Sequence, residues 1–257
     1  MFKISEDYKT ISARSPYETE QQNSLAELFQ SCPLPTPELL ENLGLFAKRQ
    51  VLSRIFGMAE LYRKILPVHG IVMEFGTRWG QNLSLFHSFR GMWEPFNWSR
   101  KIVGFDTFEG FPGAALSEAD GKGAHVVPGG HGVSARYEGY LERLLEYHQS
   151  ESPIAHIKKY EVVKGDVSQT VPDYLKNNPE TIIAFAYFDL DLYKPTKDCL
   201  TAILPHLTKG SVLGFDELVH HSFPGETVAL REVLGLAKYP IERVSDGSGF
   251  YSFLVVN

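Results

Sequence analysis

Two short acidic strings carry the most chemistry in this sequence of 257 residues. In FDLDLY, Asp189 and Asp191 stand two apart, and in extended chain such residues point to the same side. In GFDEL, Asp216 and Glu217 are adjacent. Both strings close an apolar run, so four carboxylates are expected on one rim beside a region of low dielectric. Carboxylates gathered there cannot all stay ionised without compensation, and protons or a cation must be held among them. Hard oxygen donors with no cysteine among them favour Mg²⁺, with Ca²⁺ or Mn²⁺ as substitutes, and Asp189, Asp216 and Glu217 are the expected ligands. The plainer account, for Asp191 and Glu217 in particular, is a solvated side chain or a helix cap. His220 and His221 follow directly. Neighbouring histidines aim poorly at one ion, so contact with a substrate suits them better than a two-histidine iron site.

A second constellation lies upstream, in EFGTRWGQN, with Glu74, Gly76, Thr77, Gly80 and Asn82. Its glycines permit a tight turn and close approach of a ligand to backbone N–H groups at a helix start. The dinucleotide fingerprint GxGxxG is absent, Leu83 standing where the last glycine belongs, and no Gly-Lys-Ser/Thr makes a phosphate loop. A carboxylate at the turn would repel a pyrophosphate but suits a cofactor bearing an amino group or a positive charge, and S-adenosylmethionine carries both. Asp106 ends the next apolar run and is placed to accept hydrogen bonds from ribose hydroxyls. Gly165 and Asp166 end the one after and border an adenine ring. Singly, each acid reads equally well as the cap of the following helix; in succession they read as a nucleoside pocket.

These side chains need a frame, and the hydrophobic pattern supplies one. Strand-like segments at 71–75, 101–106, 160–166, 181–191 and 211–217 alternate with helical segments starting near Gly80, Tyr137, Gln169, Pro195 and Glu226. Apolar strands separated by helices imply a parallel sheet with helices on both faces, an α/β doubly wound fold. Two final strands, near Ile241–Val244 and Tyr251–Val256, are joined by the tight SDGSG turn and imply one antiparallel strand. Before this frame, Leu43 to Ile65 shows helical spacing that ends at Pro67. Residues 1–40 are polar, and Ser15, Pro16, Pro33, Pro35 and Pro37 are expected to interrupt any long helix, leaving an arm or cap ahead of a domain over 41–257. Between Gly110 and Gly132 lies a glycine-crowded loop with His125 and His131, a candidate lid.

Composition narrows the classes. Acidic residues exceed basic ones for a net charge of -6, which argues against a generic nucleic-acid binder, whose phosphate contacts call for a basic balance. Cys32 and Cys199 are far apart and suggest neither disulfide framework nor zinc site; both are expected to be reduced and buried. The polar start and the lack of a long apolar stretch imply a cytoplasmic protein with no membrane span.

Together the strings GTRWGQN, FDTFEGFP, FDLDLYKPT and GFDEL resemble the macrocin O-methyltransferase group (TylF, MycF and NovP), class I S-adenosylmethionine-dependent sugar methyltransferases of natural-product pathways. The resemblance covers about residues 45–255. It implies a Rossmann-like, seven-stranded, mostly parallel sheet with a reversed last strand, a divalent cation, and methyl transfer to a sugar hydroxyl, the acceptor being a nucleotide sugar or a glycoside. It also implies homo-oligomers, dimers or larger, with N-terminal segments contributing across subunits. By resemblance, Glu74, Gly76, Thr77 and Asn82 match the first cofactor motif, Asp106 and Thr107 the ribose side, Asp166 and Val167 the adenine side, and Asp189, Asp216 and Glu217 the metal positions. Relatives usually have paired aspartates where this chain has Asp216 and Glu217. A sugar hydroxyl needs a base: Asp191 is the first choice, His220 or His221 the second. Two other readings stay open at this level, a catechol-type phenolic O-methyltransferase and a non-catalytic nucleoside-binding protein on the same fold.

Overall fold

The computed structural model describes residues 15–121, 126–245 and 251–257. The apolar strings become strands β1 (Ile71–Phe75), β2 (Ile102–Asp106), β3 (Tyr160–Lys164), β4 (Ile183–Phe188), β5 (Leu207–Phe215), β6 (Glu242–Arg243) and β7 (Ser252–Val255). They form one sheet in the order β3-β2-β1-β4-β5-β7-β6. The first five run parallel, and β7 is antiparallel to both β5 and β6. This is the expected doubly wound sheet with its reversed last strand. The SDGSG turn falls, past Ser245, outside the described residues, as does His125.

Five helices follow the parallel strands or join them: α4 (Gln81–Trp93), α5 (Tyr137–Ser150), α6 (Val167–Asn177), α7 (Tyr193–Ile203) and α8 (Gly225–Val233). Helix α3 (Arg49–Lys64) precedes β1. With side chains alternating along each strand, Val72, Phe185, Tyr187 and Val212 pack with Leu61 of α3, Phe86 of α4 and Leu145 of α5. Their neighbours Met73, Phe75, Phe188 and Phe215 pack on the other face with Val171 of α6, Leu200 of α7 and Leu230 of α8. Full burial of a Phe such as Phe185 or Phe188 stabilises by roughly 1.5–3 kcal/mol, and both faces are rich in such residues. Cys199 is sealed in the second face, whereas Cys32 is only half-buried, because it lies in the N-terminal segment away from either core.

The N-terminal segment corrects the sequence reading. Ser15 and Pro16 begin a helix instead of interrupting one: α1 (Pro16–Gln30) opens with Pro at its first position and a capping box. Ser15 Oγ accepts from the Glu18 amide, and the Glu18 carboxylate accepts from the Ser15 amide. Pro16 lacks an N–H that the first turn would leave unpaired anyway, which is why it fits there. A short α2 (Thr36–Glu41) follows, and neither helix has a buried residue. Among the described residues, no helix is long and apolar enough to cross a membrane.

The sheet closes most tightly where β1 meets β4. Gly76, just past β1, has φ 90°, and a Cβ there would stand 1.8 Å from the Asp189 carbonyl oxygen. Only glycine lets the two strand ends approach this closely and bring Thr77 beside Asp189. Gly76→Ala is expected to destabilise the protein by at least about 2 kcal/mol. Denaturant midpoints of the two proteins check this, and equal midpoints would show that the strands can part freely.

Candidate active site

A cavity of about 390 Å³ opens beyond the carboxyl ends of β1 to β5. The turn after β1 forms its first wall. Arg78 sits at φ 47° and Gly80 at φ 77°, and the turn leads into α4 with no side-chain cap, so the first amides of α4 lack an internal partner. Gly76, Thr77 and Asn82 line this wall. Glu74 does not: it lies under the floor, 1% exposed, with Oε2 lacking a hydrogen-bond partner. Burial, and then the charge of Asp189, push its carboxyl well above the usual range.

Asp106 ends β2 and binds backbone with both oxygens. Oδ2 accepts from the Arg78 amide at 2.7 Å and Oδ1 from the Phe108 amide at 2.5 Å. It therefore fastens the turn after β1 to β2, and any ribose hydroxyl would use its remaining lone pairs. Burial raises its pKa against the pull of those amides. Thr107 donates to the Gly110 carbonyl at 2.8 Å, shaping the loop start. Asp166 caps α6, its side chain accepting from the Ser168 amide at 2.9 Å, and it lines the cavity beside Val167. Cap and pocket residue, the two readings of this acid, are compatible.

Residues near the two ends of the glycine-crowded loop, Gly110, Phe111, Pro112 and Ala115 at one and His131 at the other, contribute to the wall of the cavity. Phe111 and His131 line it, their rings stacked with centroids 5.2 Å apart. The loop base is pinned by a backbone pair, Phe111 N–H to Gly130 at 2.9 Å and Gly129 N–H to Phe111 at 2.9 Å. His131 also meets Phe223 edge-on at 6.0 Å, linking this loop to the segment after β5.

Asp189, Asp191, Asp216 and Glu217 all line the same cavity. Asp189 and Asp216 arrive as expected, directly after β4 and β5. Asp191 arrives differently: β4 ends at Phe188, and Asp191 has φ 62°, so it does not share a strand face with Asp189. A left-handed turn swings it back instead. Burial and then Asp216 push Asp189 up to about 7, and the same two causes push Glu217 up to about 7. Burial, followed by Asp189 and Glu217, drives Asp191 well above the usual carboxylate range.

Arg54 and Glu226, which the sequence reading passed over, hold this cluster together with Tyr187 of β4. Arg54, on α3, donates to Asp189 at 3.4 Å and to Asp216 at 3.1 Å. Burial works against its charge, but Asp216 and Asp189 outweigh that and raise its pKa. Tyr187 adds a short hydrogen bond to Asp216. Glu226, fully buried at the start of α8, accepts from the Leu190 amide at 3.0 Å and the Glu217 amide at 3.2 Å. It ties the chain after β4 to the chain after β5, and burial with the nearby Asp191 raises its pKa well above normal. Nothing in the local sequence distinguishes either residue; Arg54 reads as the polar face of an amphipathic helix and Glu226 as a first-turn acid.

The donor chemistry suits a hard cation. Asp189 and Asp216 flank one place, and Glu217 Oε2 is buried without a hydrogen-bond partner. The expected three-carboxylate cage is not preformed: among the described residues no three acidic, His or Cys side chains are grouped tightly enough to hold a metal. Arg54 stands between the Asp189 and Asp216 carboxylates. His220 Nδ1 lies 3.4 Å from Glu217 Oε2, at the cavity edge, while His221 is exposed and hydrogen-bonded to Ser222.

A seven-stranded sheet of this order, with a glycine turn after β1 and a cofactor-sized cavity above it, defines a class I methyltransferase. No protein-family model and no curated protein matches the chain. Solved structures do. The crystal structure of CalS11, a calicheamicin methyltransferase, is 44% identical with a TM-score of 0.91, covering 98% of both chains. An apo structure of CalS11, described as the TDP-rhamnose 3′-O-methyltransferase of calicheamicin biosynthesis, is 43% identical with a TM-score of 0.81, covering 95% of this chain and 97% of that one. The O-methyltransferase NovP shares the fold, with a TM-score of 0.60, 16% identity and 80% of each chain covered. The chain belongs to the macrocin-type O-methyltransferase family that includes CalS11, and it is an S-adenosylmethionine-dependent O-methyltransferase.

Asp189 and Glu217 hold protons in the folded protein over the window from about 4 to about 7 that they would release when unfolded. More protons on the folded state means that this contribution to stability falls as pH rises through that window. Asp189→Asn, which stays neutral, should therefore gain stability relative to wild type between pH 5 and pH 8. Melting temperatures in EDTA across that range test this, and a constant difference would refute it.

Proposed function

We propose that the protein methylates a hydroxyl of a deoxysugar, carried as a TDP-sugar such as TDP-rhamnose or as a glycoside, in antibiotic biosynthesis, with the help of a divalent cation. The observation that supports this most is the carboxylate cluster at the ends of β4 and β5, in the same cavity as the glycine turn. CalS11, at 44% identity over nearly the whole chain, acts on TDP-rhamnose, which makes that sugar class the first to try.

In this reading Gly76, Thr77 and Asn82 receive the amino-acid end of S-adenosylmethionine at the α4 start, where unpaired amides favour a carboxylate. Asp106 and Thr107 border the ribose, Asp166 and Val167 the adenine. Glu74 acts from beneath, against this wall. Asp189, Asp216 and Glu217 would hold Mg²⁺, or Ca²⁺ or Mn²⁺, which when bound supplies Lewis acidity to the acceptor's hydroxyls. The donor supplies an electrophilic methyl on a sulfonium. The protein's part is to orient both reactants in one closed space, an effect worth roughly 7–11 kcal/mol of barrier. Asp191 accepts the hydroxyl proton: it lines the cavity, and its burial favours the protonated form that results. His220, beside Glu217, is the second candidate. His221 points to solvent and is left with a contact role at most. Phe111 and His131 close the cavity and keep water from competing with the acceptor.

Methyl transfer is expected with TDP-deoxysugars and not with catechols, to stop in EDTA and to return with Mg²⁺. Asp189→Ala should lower kcat about 100-fold or more. Transfer from labelled S-adenosylmethionine measures all of these, and full activity in EDTA would exclude the cation.

We also infer that the enzyme is a homo-oligomer. Among the described residues helix α1 has no buried side chain, Phe29 meeting only Phe46 edge-on, yet a helix of 15 residues is marginal alone in water. Tyr17, Leu28, Leu40, Leu45 and Phe56 are exposed along the same N-terminal stretch. A second copy of the chain is the proposed cover. Light scattering should give a dimer or larger for wild type and a smaller species for Leu28→Glu with Leu45→Glu; a wild-type monomer at micromolar concentration would refute this.

A further inference from the structure

The cation expected among these carboxylates is already present in part, as a side chain of the protein. Arg54 reaches from the middle of α3 and touches both Asp189, at 3.4 Å, and Asp216, at 3.1 Å, with Asn82 Oδ1 at 3.5 Å. Its guanidinium is held from outside by the ring of Tyr251, 5.2 Å from ring centroid to the guanidinium carbon. A quarter of its side chain remains exposed, so it has somewhere to go. A divalent ion bound by the same two carboxylates would sit about 2.0–2.5 Å from their oxygens. That position is inside the reach of the arginine N–H groups, and two cations cannot share those oxygens at that separation without strong repulsion.

We propose that Arg54 is an internal counter-ion that holds the Asp189 and Asp216 pair together when no divalent ion is bound, and that the ion enters only by displacing it. Guanidinium and metal are then alternative occupants of one place. The arrangement keeps two buried carboxylates from repelling each other and disordering the ends of β4 and β5. It also sets the metal affinity, because the ion must outcompete a ligand tethered at high local concentration. This rests on the metal reading above and goes one step past it, assigning a role to a residue on a helix outside the strand-end motifs.

The test is titration of Mn²⁺, followed by the paramagnetic resonance of the free ion, into wild type, Arg54→Met and Arg54→Lys. S-adenosylhomocysteine binding and melting temperature are measured on each as controls of folding. Arg54→Met should bind Mn²⁺ about ten-fold or more tightly than wild type, melt lower in EDTA, and recover on adding Mn²⁺. Arg54→Lys, which keeps the charge but not the two-pronged reach, should fall between. If the Met variant does not fold, tighter Mn²⁺ binding by Arg54→Lys than by wild type carries the same test. Equal or weaker binding in the variants overturns the exclusion and leaves the metal reading standing. Failure of every protein to bind Mn²⁺ overturns both.

Discussion

Electrostatic repulsion among carboxylates is the constraint around which the active end of this enzyme is arranged. Glu74, Asp189, Asp191, Asp216 and Glu217 lie at the carboxyl ends of neighbouring strands or just after them, Glu226 joins them from the start of α8, and burial raises most of their pKa values. Such a group survives only if each member is neutralised, hydrogen-bonded or paired. The structure uses all three means. Arg54 pairs Asp189 with Asp216, Tyr187 binds Asp216, and Glu226 spends its oxygens on backbone amides of the two converging loops. The cost of gathering the acids is met by contacts that also fix where they point.

The same contacts explain why the cavity lies where it does. Strand alternation puts Glu74, Tyr187 and Gly214 in one row across β1, β4 and β5, with Asp189 and Asp216 next along on the α3 side. Helix α3 packs on that face through Leu61 and Tyr62, and this docking carries Arg54 to the strand ends. On the other side of β1, Asp106 binds the Arg78 amide and so couples the β1 turn to β2. The half of the cavity around Asp106 and Asp166 and the half around Asp189 and Asp216 are thus joined through β1, whose closest neighbour at its end is β4, a contact that Gly76 alone permits.

Shared fold with NovP and high identity to CalS11 have different weights. The first places the chain on a sheet that supports many methyl acceptors. The second, spread over almost the full length of both chains, fixes the family. Phe111, His131 and Phe223, which line the cavity from two segments far apart in the chain, meet each other through ring contacts and not through the strands.

The sequence by itself determined the sheet, its reversed last strand and nearly every acid of the cavity, because burial on both faces leaves long apolar runs and because strand ends in such a sheet must face one edge. It misread Ser15 and Pro16, which begin a helix, since proline signals a break in mid-helix and a start in the first turn, and spacing alone does not say which. It placed Asp191 with Asp189 by extended-chain alternation, yet a left-handed turn performs that task. Arg54 and Glu226 were invisible to it. Their roles come from contacts across 135 and 162 residues for Arg54 and across 36 for the Glu226 bond to Leu190, and only the packing of helices on the sheet sets such distances. Local chemistry is written in neighbouring residues; the counter-charge that makes it tolerable arrives from elsewhere in the chain, and folding decides from where.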